Sequence, residues 1–204
     1  MPKPKVWILP GDSWGSAVEM FNRHGWANEG LPEQIPDLIC FLGGTDVDPG
    51  VYGVERHSMT QSPDHQRDAF EVAVFNKFKD IPKVGICRGG QLLNVLNGGT
   101  MIQHLGKVCS GIYSPWVTGG GEEEDIDVLV DHHQGMVCGE KGSCILHHNN
   151  WLDVNHGPKI MMAGYYPETK SLCFQPHPEW EHKGTEDYFF QLLEETLGFK
   201  NEIS

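Results

Sequence analysis

Apolar residues along this chain keep two rhythms, unbroken runs of four to six and stripes spaced three and four apart, and the two alternate. Val6-Trp7-Ile8-Leu9 before Pro10-Gly11-Asp12, Leu38-Ile39-Cys40-Phe41-Leu42 before Gly43-Gly44, and the run from Ile81 to Ile86 predict buried strands closed by turn residues. Helical spacing fills the gaps. Trp14, Val18 and Phe21 follow Ser13, a residue able to cap a helix, and that pattern stops near Gly25. Phe70, Val74 and Phe78, widened by Ala73 and Phe75, predict a helix over 65–78. Strand alternating with helix predicts an α/β architecture. Further along, 92–97 predicts a helix, 101–105 an extended piece and 126–130 a strand. A hairpin is expected from 160–166 and 171–174 around Pro167-Glu168-Thr169-Lys170. The last helix, 185–197, carries Tyr188, Leu192 and Thr196 on one stripe, with Phe189, Leu193 and Leu197 beside it, and stops at Gly198.

The strand ending at Ile86 runs straight into the helix that starts after Cys87, so the thiol sits on a sharp strand-to-helix turn. Gly85-x-Cys87-x-Gly89 is the thiol form of the Gly-x-Ser-x-Gly nucleophile elbow, whose strained backbone leaves no room for Cβ atoms at the glycines. The free N–H groups of the following helix and its dipole place positive charge at the sulfur, which favours a nucleophilic thiolate. The N–H of Arg88 is placed to hydrogen-bond an oxyanion. An inert buried cysteine is the alternative. Against it stands Phe174-Gln175-Pro176-His177-Pro178-Glu179, in which an imidazole can take the thiol proton and a carboxylate two residues on can fix its tautomer.

Composition narrows the function classes. A chain of 204 residues, 39% hydrophobic, is expected to form one domain over 1–204. A formal charge of −13 argues against nucleic acid or an anionic membrane as a partner, because an acidic field repels both. Cysteines at 40, 87, 109, 138, 144 and 173 read as free thiols of a reducing compartment. With no apolar leader before Val6 and no membrane-length run, a cytoplasmic location is expected. The glycine and acidic run at 118–125 reads as a solvated loop. Asp46, Asp48 and Asp64 read as turn chemistry, and neighbouring histidines in His132-His133 and His147-His148 point to opposite faces of a strand, so no metal or other cofactor is expected.

Gly85-Ile86-Cys87-Arg88-Gly89-Gly90-Gln91 together with His177-Pro178-Glu179 resembles the class I glutamine amidotransferase superfamily. Phe41-Leu42-Gly43-Gly44-Thr45-Asp46-Val47-Asp48-Pro49, Arg67-Asp68-Ala69-Phe70-Glu71, Gly98-Gly99-Thr100 and His132-His133-Gln134 resemble its γ-glutamyl hydrolase branch, which includes γ-glutamyl-γ-aminobutyrate hydrolases. The resemblance implies a flavodoxin-like three-layer sandwich with a mainly parallel central sheet, and a triad of Cys87, His177 and Glu179. It implies an oxyanion hole from the N–H groups of Arg88 and Gly44, or Gly43. Gln91, His132, His133 and Gln134 are implied to bind the glutamyl part, although Asp131 stands in that segment where an aspartate replaces the usual serine. It also places the Arg67, Asp68 and Glu71 set beside the elbow; the residues alone allow an ordinary solvated first turn of a helix equally well.

The function this implies is cysteine-dependent hydrolysis of a γ-glutamyl amide in a small-molecule substrate, through a glutamyl thioester. Two alternatives stand beside it. One is a glutaminase subunit that passes ammonia to a separate synthetase, which would be another chain because no Gly-x-x-x-x-Gly-Lys-Ser loop occurs here. The other is a non-catalytic binding module on the same fold. Assembly into a homo-oligomer is left open by the sequence.

Overall fold

The structure, a computed structural model, describes residues 3–29, 35–117, 126–148 and 158–199. The first half of the chain alternates β1 (Lys5–Ile8), α1 (Trp14–Arg23), β2 (Ala27–Glu29), β3 (Leu38–Phe41), α2 (His65–Lys77), β4 (Lys83–Ile86) and α3 (Arg88–Leu96). Strands then dominate: β5 (Thr100–Ile102), β6 (Cys109–Tyr113), β7 (Trp116–Val117), β8 (Val128–His132), β9 (Gly135–Val137), β10 (Ser143–His147), β11 (Met161–Tyr166) and β12 (Ser171–Phe174). The chain closes with α4 (Lys183–Leu197).

The central sheet runs β2-β1-β3-β4-β12-β11-β10-β7. Every pairing from β2 to β12 is parallel, and those from β12 onward are antiparallel. Successive strand residues face opposite sides, as a period of two requires. Val6, Ile8 and Cys40 pack with Met20, Phe21, Phe189 and Leu193 of α1 and α4. Trp7, Ile39 and Phe41 pack with Val74, Phe75 and Leu93 of α2 and α3. The result is a helix, sheet, helix sandwich of the α/β class expected from the sequence.

Register decides where chemistry can gather. Gly85 lies opposite Phe41 of β3 and Cys173 of β12, and Ile86 lies opposite Phe174. Three neighbouring strands therefore end together, and Gly43-Gly44, Cys87 and Gln175 to His177 leave the same carboxyl edge. Ligands in parallel sheets bind at this edge. The β11–β12 hairpin makes it possible, because it returns the chain parallel to β4 without another helix.

Several expected elements are altered. Ser13 does not cap α1; it has φ 58° and its side chain caps nothing. Trp14 is 43% exposed, and the buried face of α1 is Ala17, Met20 and Phe21. In α2, Phe70 and Ala73 face outward while Asp68 and Glu71 are buried with Val74 and Phe75. The solvated-turn reading of those charges is thus wrong, because two arginines supply partners inside. Asp64 caps α2 by accepting from the N–H groups of Gln66 and Arg67, and Asp48 accepts from Gly50, the turn roles expected of them. Edge strand β2 carries no apolar run to announce it. The glycine and acidic segment at 118–125 lies outside the described residues. All six cysteines are free thiols. Among the described residues no helix is long and apolar enough to cross a membrane.

Candidate active site

Cys87 is held in a backbone conformation that side chains rarely adopt, φ 50° and ψ −112°. Its neighbours explain how the turn stays closed. A Cβ on Gly85 would sit 2.3 Å from the carbonyl carbon of Gly89, and one on Gly89 would sit 2.2 Å from the carbonyl oxygen of Phe41. Strand β4 and helix α3 can approach this closely only through glycine. The Cys87 N–H donates to the carbonyl of Phe174 (2.7 Å), while its own carbonyl accepts from Gln91 N–H (3.0 Å) and starts α3. Cys87 is thereby pinned to β12 and to the helix at once.

The imidazole arrives from the other side. The backbone N–H of His177 donates to the carbonyl of Leu129 (2.8 Å), fixing the loop after β12 against β8. Its Nδ1 lies 2.8 Å from Oε1 of Glu179, which is 2% exposed. The carboxylate accepts, so Nδ1 carries a proton in either charge state and Nε2 is the nitrogen that gains or loses one. Nε2 is buried and makes no conventional hydrogen bond among the described residues. A Cβ on Gly43 would meet both residues, His177 Cε1 at 3.5 Å and Cys87 Cβ at 3.8 Å. Both residues therefore border the one position that a Gly43 side chain would take. Burial works to lower the His177 pKa, but the Cys87 sulfur and the Glu179 carboxylate outweigh it and raise the group to about 10. A charged imidazole is favoured here.

Gly44 lies at φ 147°, with the guanidinium of Arg67 on the side a Cβ would occupy. The carbonyl of Gly43 accepts from Asp12 N–H (3.2 Å), and the described chain contains no cis peptide, so the N–H of Gly44 points away from that loop. Arg88 begins α3, where the N–H has no partner within the helix. The Arg88 side chain turns inward and is 1% exposed.

A cleft of about 230 Å³ is lined by Cys87, His177, Gly43, Gly44 and the four residues expected to hold substrate. Gln91 is buried and donates to Oε1 of Gln175 (3.1 Å). His132 contacts the Gln134 carbonyl through Nδ1 (2.7 Å), so its proton resides there and Nε2 is a bare acceptor. Burial holds the His132 pKa down at about 4. His133 and Gln134 border the cleft but are engaged by the protein, His133 with Asp46 (3.1 Å) and Gln134 with the Gln103 carbonyl (3.2 Å). Asp131 presents its carbonyl, not its carboxylate, to the Cys87 sulfur at 3.8 Å.

Two further side chains touch the thiol and the imidazole. Gln175 donates through Nε2 to the Cys87 sulfur (3.4 Å). Its position directly after β12, one strand from Cys87, was the available signal. Trp180 stacks on the His177 ring and donates from Nε1 to the Ser13 hydroxyl (3.0 Å). No group of three or more metal-ligating side chains is assembled among the described residues.

The fold is that of class I glutamine amidotransferases. Residues superpose on PurLQS from Thermotoga maritima with a TM-score of 0.66 and 18% identity, covering 95% of this chain and 99% of that one. A glutamine amidotransferase from Thermotoga maritima gives 0.65 at 14% identity, covering 97% of this chain and 85% of that one. In sequence, 116 residues are 38% identical to a Mycobacterium tuberculosis protein named "Putative glutamine amidotransferase Rv2859c", spanning 48% of this chain and 38% of that protein. A stretch of 88 residues is 41% identical to a "Putative glutamine amidotransferase-like protein YvdE homolog" of Lactococcus lactis subsp. cremoris, spanning 41% of this chain and 47% of that protein. The chain thus aligns with less than half the length of either relative. The family model described as Peptidase C26 matches residues 32–148, more than half of the chain, from before β3 through the elbow to the end of β10, and the chain belongs to that family.

Proposed function

We propose that this protein hydrolyses a γ-glutamyl amide bond with Cys87 as nucleophile and His177 as acid and base. The observation that carries this reading is the convergence of a strained, glycine-flanked thiol and a carboxylate-oriented imidazole on one point beside Gly43. Membership of the Peptidase C26 family and similarity to proteins named for glutamine amidotransferase support the same bond type.

In this mechanism the Cys87 thiolate attacks the side-chain carbonyl carbon of the glutamyl group. The carbonyl oxygen takes the electron pair and is held by the N–H groups of Arg88 and Gly44, donors of a kind that contribute about 3 kcal/mol each to lowering the barrier. Imidazolium at His177 gives its proton to the departing nitrogen as the C–N bond breaks, leaving a glutamyl thioester. The neutral imidazole then takes a proton from water, the resulting hydroxide attacks the thioester, and the C–S bond breaks to release glutamate. Glu179 orients the ring throughout. Gln91 and the 132–134 segment hold the α-amino and α-carboxylate groups, His132 serving as an acceptor through its bare Nε2.

Purified protein incubated with γ-glutamyl amines and with glutamine should release amine or ammonia, and a mass increase at Cys87 should report the thioester. Cys87→Ala should abolish both; turnover by that variant overturns the assignment. A second reading, a glutaminase that supplies ammonia to a separate synthetase, is favoured by the names of the relatives. Glutamine turnover that appears only when a synthetase chain is added would establish it over independent hydrolysis.

A further inference from the structure

Beside the cleft lies a largely buried quartet of charged side chains that the mechanism above does not use. Glu71, fully buried on α2, accepts at Oε1 from Nε of Arg67 (3.0 Å) and at Oε2 from NH1 of Arg88. Asp68 accepts from NH2 of Arg88 at one oxygen and from the N–H of Asp48 (3.0 Å) at the other. Two positive and two negative groups thus cancel, with Asp68, Glu71 and Arg88 buried and Arg67 partly so. Burying ion pairs is costly and stabilises little relative to apolar packing, so what such a network best supplies is geometry.

That geometry bears on the two N–H groups assigned to the oxyanion. Arg67 donates from NH2 to the Leu42 carbonyl (2.9 Å), and its NH1 lies 2.2 Å from where a Cβ of Gly44 would be. The Arg88 side chain reaches the same glycine, with Cδ 3.6 Å from that point. The side of Gly44 that a Cβ would occupy is therefore covered by two arginine side chains whose common partner is Glu71. The backbone of Arg88 itself opens α3. Glu71 thus links the β3 turn, through Arg67 and the Leu42 carbonyl, to the elbow helix, through Arg88.

We infer that Glu71 is a positioning residue: by bonding Arg67 and Arg88 together it fixes the spacing between the N–H of Gly44 and the N–H of Arg88, and so sets the oxyanion hole. This rests on the proposed function above, since only a carbonyl reaction needs that hole.

The test separates two reactions of the same sulfur. Alkylation of Cys87 by iodoacetamide is a displacement at saturated carbon and forms no oxyanion, whereas acylation by a γ-glutamyl anilide does. In Glu71→Gln, acylation is expected to fall about 10- to 100-fold through kcat with little change in KM, while alkylation stays within about threefold of wild type. Arg67→Gln, which leaves the Glu71 to Arg88 pair intact, gives the same pattern in milder form and serves if the first variant does not fold. Equal losses in both reactions, or unchanged acylation in a folded variant, overturn the inference. Absence of acylation in the wild type overturns the proposed function itself.

Discussion

The indole of Trp180 lies flat on the imidazole of His177, ring centroids 3.8 Å apart and planes within 9°. Stacking of this kind stabilises a cation over the electron-rich face of the indole, by roughly 0.5–2 kcal/mol. Replacing the ring by Ala should therefore lower the midpoint of His177 titration by about one pH unit, measured by NMR of the imidazole. Trp180→Phe keeps a stacked face but loses the bond to Ser13, and should move the midpoint less than half as far. Equal shifts in both variants would assign the effect to the Ser13 contact instead.

Protonation of His177 is linked to folding. Its pKa rises from an ordinary 6.5 to about 10 in the folded protein, where burial is outweighed by the Cys87 sulfur and Glu179. A raised value means the stabilisation is fully present below pH 6.5 and disappears as pH climbs through 10. Urea unfolding midpoints of the wild type should fall across this window, and those of His177→Gln should be flatter. Parallel curves would show that the imidazole does not carry this linkage.

Glycine is required at the elbow for space and elsewhere for conformation, and the two should cost differently. Gly89→Ala drives a Cβ against the rigid Phe41 carbonyl, so it should destabilise by about 3 kcal/mol or more. Gly98→Ala faces open space at φ 85° and should cost about 1–2 kcal/mol from backbone strain alone. Denaturant melts of both variants measure the difference, and the reverse order would contradict the packing described.

Gln175 holds the sulfur through one amide hydrogen bond and is itself held by Gln91. Gln175→Leu removes the amide donor to the sulfur, and alkylation of Cys87 at neutral pH should slow about tenfold. An unchanged rate would mean the contact is structural.

Much of this site was legible one residue at a time. Gly85, Cys87 and Gly89 declare a turn that nothing bulkier can make, and His177 and Glu179, two residues apart, can meet without knowledge of the fold. The apolar runs at 6–9, 38–42 and 81–86 announce a parallel core because a strand covered on both faces needs no polar alternation. Short strands such as β2 and β9 carry no such signature and form only because a neighbour completes their hydrogen bonds.

The amino-acid order alone singled out the groups proposed to do chemistry: a thiol at a turn, an imidazole with its carboxylate, and glycines where backbones must touch. Tertiary structure decided what lies beside what. Periodicity cannot tell that Asp68 and Glu71 face inward, because α2 buries charge only where Arg67 and Arg88, supplied by its own first turn and by the start of α3, wait to neutralise it. Nor can it tell that Gln175 touches sulfur or that Trp180 covers His177. Those contacts follow from strand register, which sets three distant segments at one edge of the sheet, and register is a property of pairing between strands.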